Sequence, residues 1–139
     1  MSTTLLCWCR DDSQLTAAAR NFRADFRYSG CRRAALPQTL GRLGNGDVLV
    51  ITAHGAPQAF GEEGVSFTDF TPRQFADALL ANPPGGWSGS LYFDICNGYA
   101  FAQNVRPLIR AGLPNLRLFG CEGDTDMAVD LTRHREVTP

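Results

Sequence analysis

Apolar residues along this chain fall in short blocks whose spacing switches between the period of a strand and that of a helix. Residues 4–8 form a short apolar run, read as a first strand. From Ser13 to about Phe26, Leu15, Ala18, Ala19, Phe22 and Phe26 recur at helical spacing, with Arg20, Arg23 and Arg27 facing outward. Asp11, Asp12 and Ser13 offer N-cap chemistry to this helix. A short edge strand is expected around Arg27-Tyr28-Ser29. Pro37 suits the first turn of a helix running to Leu43, and Gly44-Asn45-Gly46 ends it. Residues 48–53 are continuously apolar and rich in β-branched side chains, the mark of a strand buried on both faces. Residues 55–67, with Gly61, Glu62, Glu63 and Gly64, read as a loop or hairpin.

Thr71-Pro72 opens another helix, with Phe75, Ala78 and Leu79 inward. Residues 82–89 are a Pro/Gly-rich linker, and residues 91–95 a second central strand. A helix over 99–111 turns Phe101, Val105, Leu108 and Ile109 to the core, and Pro107 inside it predicts a kink. Residues 116–121 form the last predicted strand. Strands alternating with helices imply right-handed crossovers and a parallel sheet. The expected fold is therefore an α/β three-layer sandwich, with a mostly parallel sheet of four to five strands and helices on both faces. Residues 1–121 make one domain, and 122–139 read as a polar, partly mobile tail.

Composition narrows the picture. The 139 residues suit one core, and the 44% hydrophobic content is that of a globular domain. A formal charge of −1 gives no reason to expect nucleic acid or a membrane surface as partner. No apolar run is long enough to span a bilayer, and the first ten residues lack the basic and apolar regions of a Sec signal. The expected setting is the cytoplasm, or a host cell into which the protein is delivered. The five cysteines, Cys7, Cys9, Cys31, Cys96 and Cys121, are odd in number and irregular in spacing, which argues against a disulfide scaffold. Cys7 and Cys9 share a strand face but have no histidine nearby, so neither a metal nor any other cofactor is expected. All thirteen basic residues are arginine. A GC-rich genome explains that; so does avoidance of lysine, the attachment site for ubiquitin, inside a eukaryotic host.

The candidate chemistry lies at two strand ends. Asp47-Val48-Leu49-Val50-Ile51-Thr52-Ala53-His54-Gly55 and Ser90-Leu91-Tyr92-Phe93-Asp94-Ile95-Cys96-Asn97-Gly98 each run apolar, then stop at a base or nucleophile followed closely by glycine. Parallel strands end at one edge, where ligands bind. His54 and Cys96 on neighbouring strands would share one crevice, the minimum for thiol-based covalent catalysis. Cys96 precedes a helix, whose N–H groups lower a thiol's pKa and donate to an oxyanion. Gly98 bares the backbone for a substrate, and Gly55 leaves another N–H open. A cysteine phosphatase is excluded, because Ala102 stands where its arginine is needed. His134 lies in a charged stretch and reads as solvated.

Thr52-Ala53-His54-Gly55 followed by Asp94-Ile95-Cys96-Asn97-Gly98 resembles the motifs of caspase-like cysteine peptidases, the group that includes metacaspases, legumains, gingipains, separases and CHAT domains. The resemblance implies a cysteine endopeptidase acting on a peptide or protein. It assigns Cys96 as nucleophile, His54 as proton donor to the leaving amine, and the N–H groups of Gly55 and Cys96 as the oxyanion hole. Metacaspases carry an aspartate where Asp94 stands, which implies binding of a basic P1 side chain. The alternative, from a different class, is a non-catalytic caspase-like module binding a protein or peptide through the same crevice. The oligomeric state stays open.

Overall fold

Parallel strands need their crossovers on the faces of the sheet, and the elements of this chain are placed accordingly. The computed structural model describes residues 1–8, 13–31, 33–61, 70–81, 87–125 and 128–138. Their order is β1 (Thr3–Cys7), α1 (Ser13–Asn21), β2 (Phe26–Tyr28), α2 (Ala35–Leu40), β3 (Val48–Thr52), β4 (His54–Ala56), β5 (Ala59–Gly61), α3 (Pro72–Ala81), β6 (Ser90–Asp94), α4 (Gly98–Ile109), β7 (Arg117–Gly120), a 3-10 turn (Leu131–Arg133) and β8 (Arg135–Glu136). The main sheet has six strands in the order β2-β1-β3-β6-β7-β8. All pairings in it are parallel except β7 with β8. The expected α/β architecture is present, with more strands than the four to five expected. A separate two-stranded hairpin joins β4 and β5.

Strand alternation divides the core in two. Leu6, Leu49, Ile51, Leu91 and Phe93 point to one face and pack with Leu36 and Leu40 of α2, Phe75 and Leu79 of α3, and Phe101 and Val105 of α4. Leu5, Cys7 and Val50 point to the other, against Leu15 and Ala19 of α1, with Val129 and Leu131 at its margin. The β-branched run of β3 is buried because both of its faces are covered. At α3, Thr71 and Gln74 cap each other's backbone N–H groups at 3.2 and 3.0 Å, and Pro72 takes the first helical position.

Several boundaries differ from expectation. Helix α1 stops at Asn21 rather than near Phe26. The Asp25 N–H bonds the Thr3 carbonyl at 2.9 Å and its carboxylate takes the Thr3 N–H at 2.8 Å, which draws the chain onto β1. Phe26 thereby becomes a strand residue that is 52% exposed. Helix α2 begins two residues before Pro37 and ends at Leu40. Helix α4 runs on through Pro107, which lies only two residues from its end. There the buried Arg106 guanidinium donates to the carbonyls of Leu116 (3.2 Å) and Pro114 (3.4 Å), tying the helix to the next turn.

The largest correction concerns the expected tail. Arg135 and Glu136 pair with Gly120 and Phe119 as strand β8, and Val137 is buried in the larger core. The Val137 N–H bonds the Leu118 carbonyl at 2.8 Å. Arg117 holds Glu136 through two contacts of 3.0 and 2.8 Å, and Arg135 pairs with Glu122 at 2.6 Å. Residues 130–137 therefore belong to the domain. The expectations for Cys9, Asp11, Asp12, Glu62, Glu63, Gly64 and most of the 82–89 linker fall outside the described residues.

Candidate functional site

Strands β3 and β6 lie side by side, and their pairing ends with Thr52 opposite Asp94. His54 lies two residues beyond Thr52, at the start of β4, and Cys96 lies two residues beyond Asp94, in the turn that leads to α4. The two tips touch beyond the sheet as well. A Cβ added to Gly55 would lie 2.7 Å from Ile95 Cβ, so the Gly55 backbone rests directly on the Ile95 side chain. His54 and Cys96 are both half-buried. The strands that precede them, β3 and β6, are neighbours in the sheet.

His54 begins the β4–β5 hairpin, which turns at Pro57-Gln58. The hairpin is anchored by Phe60, fully buried with its ring 5.2–5.7 Å from Trp8, Phe70, Phe75 and Phe101. Phe60 also exchanges both backbone bonds with Phe70, at 2.9 and 3.2 Å. Gly55, opposite Phe60, is thus a non-hydrogen-bonded position of the ladder, and its N–H points away from β5.

Cys96 sits in the turn between β6 and α4. Asn97 takes the left-handed conformation (φ 59°), which asparagine tolerates better than most residues. Gly98 has an internal reason to lack a side chain: a Cβ there would meet the Phe93 carbonyl oxygen at 2.2 Å. Gly120 of β7 is equally constrained, since a Cβ on it would lie 2.3 Å from the Gly98 carbonyl carbon and from the Tyr99 nitrogen. The N–H groups of Asn97, Gly98 and Tyr99 bond the carbonyls of Gly123 (2.6 Å), Ile95 (2.9 Å) and Cys121 (3.0 Å). The helix start therefore spends these donors inside the protein, and the expected oxyanion donors narrow to Gly55 and Cys96 themselves. The Cys96 thiol lies 3.8 Å from Thr125 Oγ1, on the loop after β7.

Asp94, read from the resemblance as a contact for a substrate side chain, ends β6 inside the protein. It is 4% exposed, not open. Its Oδ2 accepts from Thr52 Oγ1 at 2.9 Å, across the pairing of β3 with β6. Its Oδ1 lies 3.2 Å from His134 Nε2. His134 is likewise not solvated: its side chain is 2% exposed and its ring lies edge-on to Tyr92 at 5.7 Å. His134 Nδ1 stands 3.0 Å from the Asp130 carbonyl oxygen. A carbonyl only accepts, so Nδ1 carries a hydrogen. A bare lone pair on Nε2 would then face the carboxylate, and a hydrogen there makes the ring a cation paired with Asp94. Distance and angle differ in what they say of this contact: 3.2 Å fits an ion pair, yet Nε2 has no aligned hydrogen-bond partner. The contact is an ion pair only when the ring is protonated.

His134, Thr125 and Gly120 lie in no motif, and Thr52, though within one, was given no role of its own at the site. The signal available for Thr52 was its place opposite Asp94 on a buried strand. For His134 it was the flanking apolar residues Val129, Leu131 and Val137.

The other described thiols are poorly suited to attack. Cys7 is buried on β1. Burial pushes Cys31 up to about 11. Burial also raises Cys121, whose thiol faces the carbonyls of Glu122 and Asp124. Among the described residues no group of three or more histidine, cysteine or acidic side chains is placed to hold a metal ion. Nor is any helix among them long and apolar enough to cross a membrane. Fold and site together define an α/β sandwich in which a histidine and a cysteine each follow, by two residues, the end of one of two adjacent parallel strands. No protein-family model matches the chain, and no curated protein or solved structure is similar enough to count as a match.

Proposed function

We propose that the chain is a caspase-like cysteine peptidase acting through a Cys96–His54 dyad. The observation that carries this reading is the register of β3 with β6, which brings the two strand tips together with Gly55 resting on Ile95. In the proposed reaction His54 takes the proton of Cys96, and the thiolate sulfur attacks the scissile carbonyl carbon. The developing oxyanion is held by the N–H groups of Gly55 and Cys96. His54 returns the proton to the leaving amine as the C–N bond breaks. Water then hydrolyses the thioester, releasing the acid product and restoring the thiol.

The test is selective alkylation at neutral pH, with each cysteine followed by mass spectrometry, beside turnover of a peptide panel. Cys96 is expected to react fastest, and His54→Ala to slow both labelling and any turnover. Labelling of Cys96 no faster than that of Cys31 and Cys121 refutes the reading. One observation favours the second reading, a non-catalytic module that binds a peptide or protein through the same edge: Asp94 is already occupied by His134. A folded protein with an unreactive Cys96 that still retains a peptide would support it.

A further inference from the structure

We propose that the open edge of β2, with the groove beside it, is a docking site for an acidic segment of another protein, bound as an added strand of alternating acidic and apolar side chains. Neither Cys96 nor His54 takes part.

The backbone at this edge is unspent. Val48 N–H donates to the Ser2 carbonyl at 2.8 Å and Trp8 N–H to the Thr52 carbonyl at 2.9 Å, so even-numbered positions along β1 present their backbone to β3. The odd ones are left for β2, as the bonds from Asp25 N–H to the Thr3 carbonyl (2.9 Å) and from Cys31 N–H to the Cys7 carbonyl (3.0 Å) show. Leu5 stands opposite Arg27 and therefore bonds the residues on either side of it, Phe26 and Tyr28. The N–H and C=O of Arg27 point the other way, and among the described residues no strand lies on that side. All three residues of β2 are exposed. An edge of this kind is a template for a further strand.

Its two faces differ. Phe26 and Tyr28 share the α2 face with Thr4 and Leu6. They are the exposed aromatic side chains among the described residues, at 52% and 40%. Beside them a groove runs between β2 and α2, bridged by the Arg42 guanidinium, which donates to the Tyr28 hydroxyl at 3.2 Å. One compartment, of about 120 Å³, reaches Phe26 and Leu43; the other, of about 280 Å³, reaches Gly30 and Ala35. The opposite face carries the Arg27 side chain, whose Nη1 donates to the carbonyl of the exposed Arg20 at 2.6 Å. The neighbouring acids are engaged: Asp25 accepts from Thr3 N–H, and Asp47 from the N–H groups of Ser2 and Gly44.

Charge selects the occupant. Residues 13–46 hold six of the thirteen arginines and one of the fourteen acidic residues, in a chain whose net charge is −1. A second copy paired antiparallel about Arg27 would set Arg27 against Arg27. Nucleic acid matches the sign but does not supply the row of alternating donors and acceptors that the strand edge needs. A partner strand with acidic side chains toward Arg20 and Arg27 and apolar ones over Phe26 and Tyr28 satisfies both faces and the backbone.

The test is fluorescence anisotropy with the full chain and a labelled octapeptide alternating glutamate and valine. This peptide should bind at least about ten times more tightly than its lysine counterpart. Arg27→Ala removes the charge but keeps the outward N–H, and should weaken binding about threefold. Arg27→Pro removes both, in a place where proline breaks no bond to β1, and should cost about a further fivefold. Should Arg27→Pro not fold, peptides N-methylated at one or the other alternate set of residues replace it on the parent protein. One set should lose binding and the other keep it. No binding by the glutamate peptide at about 1 mM, equal binding of the two charge types, equal affinity of Arg27→Ala and Arg27→Pro, or equal behaviour of the two methylated sets overturns the proposal. So does tighter binding of an oligothymidylate of the same charge, which would make the surface one for nucleic acid.

Discussion

A single methyl group added at Gly120 tests how tightly the Cys96 turn is tied to the sheet. In Gly120→Ala the new Cβ would stand 2.3 Å from the Gly98 carbonyl carbon and the Tyr99 nitrogen, and 2.4 Å from the Gly98 oxygen, where ordinary contact begins at 3.4 Å. All three are backbone atoms, so no side chain can swing aside. The start of α4 must retreat from β7 by roughly 1 Å. That movement strains the bonds from Tyr99 N–H to the Cys121 carbonyl (3.0 Å) and from Asn97 N–H to the Gly123 carbonyl (2.6 Å). Overpacking of this kind costs about 1–3 kcal/mol, and each bond adds about 1 kcal/mol. The expected total is about 3–5 kcal/mol, or a thermal midpoint lowered by roughly 10–15 °C for a chain of this length. The assay is thermal and urea unfolding followed by circular dichroism. Gly41→Ala is the control: Gly41 lies in the right-handed helical region, and its added Cβ would meet only ordinary contacts of 3.7 Å. That change should stabilise by about 0.4–1 kcal/mol. A Gly120→Ala protein within about 1 kcal/mol of the parent would refute the argument that α4 is seated backbone-on-backbone against β7.

Three further outcomes follow from the same contacts. Asp47, held below the usual carboxylate range by backbone bonds from Gly44 and Ser2, has a depressed folded pKa. Its contribution is thus full above the ordinary value of 3.8 and lost as pH falls through the folded one. Asp47→Asn should cost about 1–2 kcal/mol at neutral pH and almost nothing near pH 2, and an equal cost at both in urea unfolding would contradict the assignment. Cys31, raised to about 11 by burial, should reach its half-maximal alkylation rate near that pH; a half-maximal rate at 9.0 would show an ordinary thiol. Phe60→Ala removes the hairpin's anchor and should cost about 3–5 kcal/mol; a loss under about 1 kcal/mol in urea unfolding would show that His54 is positioned by something else.

Much of this arrangement was legible before any coordinates. Residues 48–52 and 90–94 advertise themselves because a strand covered on both faces has to be apolar throughout. The tips follow, because parallel strands finish at one edge. Strand β8 escaped detection for a physical reason. It is a two-residue edge strand made of Arg135 and Glu136, whose pairing is carried by backbone bonds and exposed charges rather than by an apolar pattern. Only Val137 gave a hint. The same gap hid His134, whose burial depends on that strand. Asp94 was placed correctly on the sheet, but its occupation follows from a partner forty positions away, which local spacing does not reveal. The glycines of the site were recognised, yet for a different cause: Gly55 and Gly98 make room for Ile95 and the Phe93 carbonyl.

The strand order has a bearing on how the protein is made. From β1 onward, every later strand of the main sheet is added beside one already present, and from β3 to β8 the sheet grows in one direction only. On the ribosome each arriving strand meets a finished edge. At roughly 5–20 residues per second, about 2–8 s separate the synthesis of Asp94 from that of His134. Over that interval β7 is added beside β6, its outer side still waits for β8, and the carboxylate has Thr52 as its partner. In order of synthesis both strands that meet at Thr52 and Asp94 precede the residue that covers Asp94, so closure of this edge waits on the last few residues described.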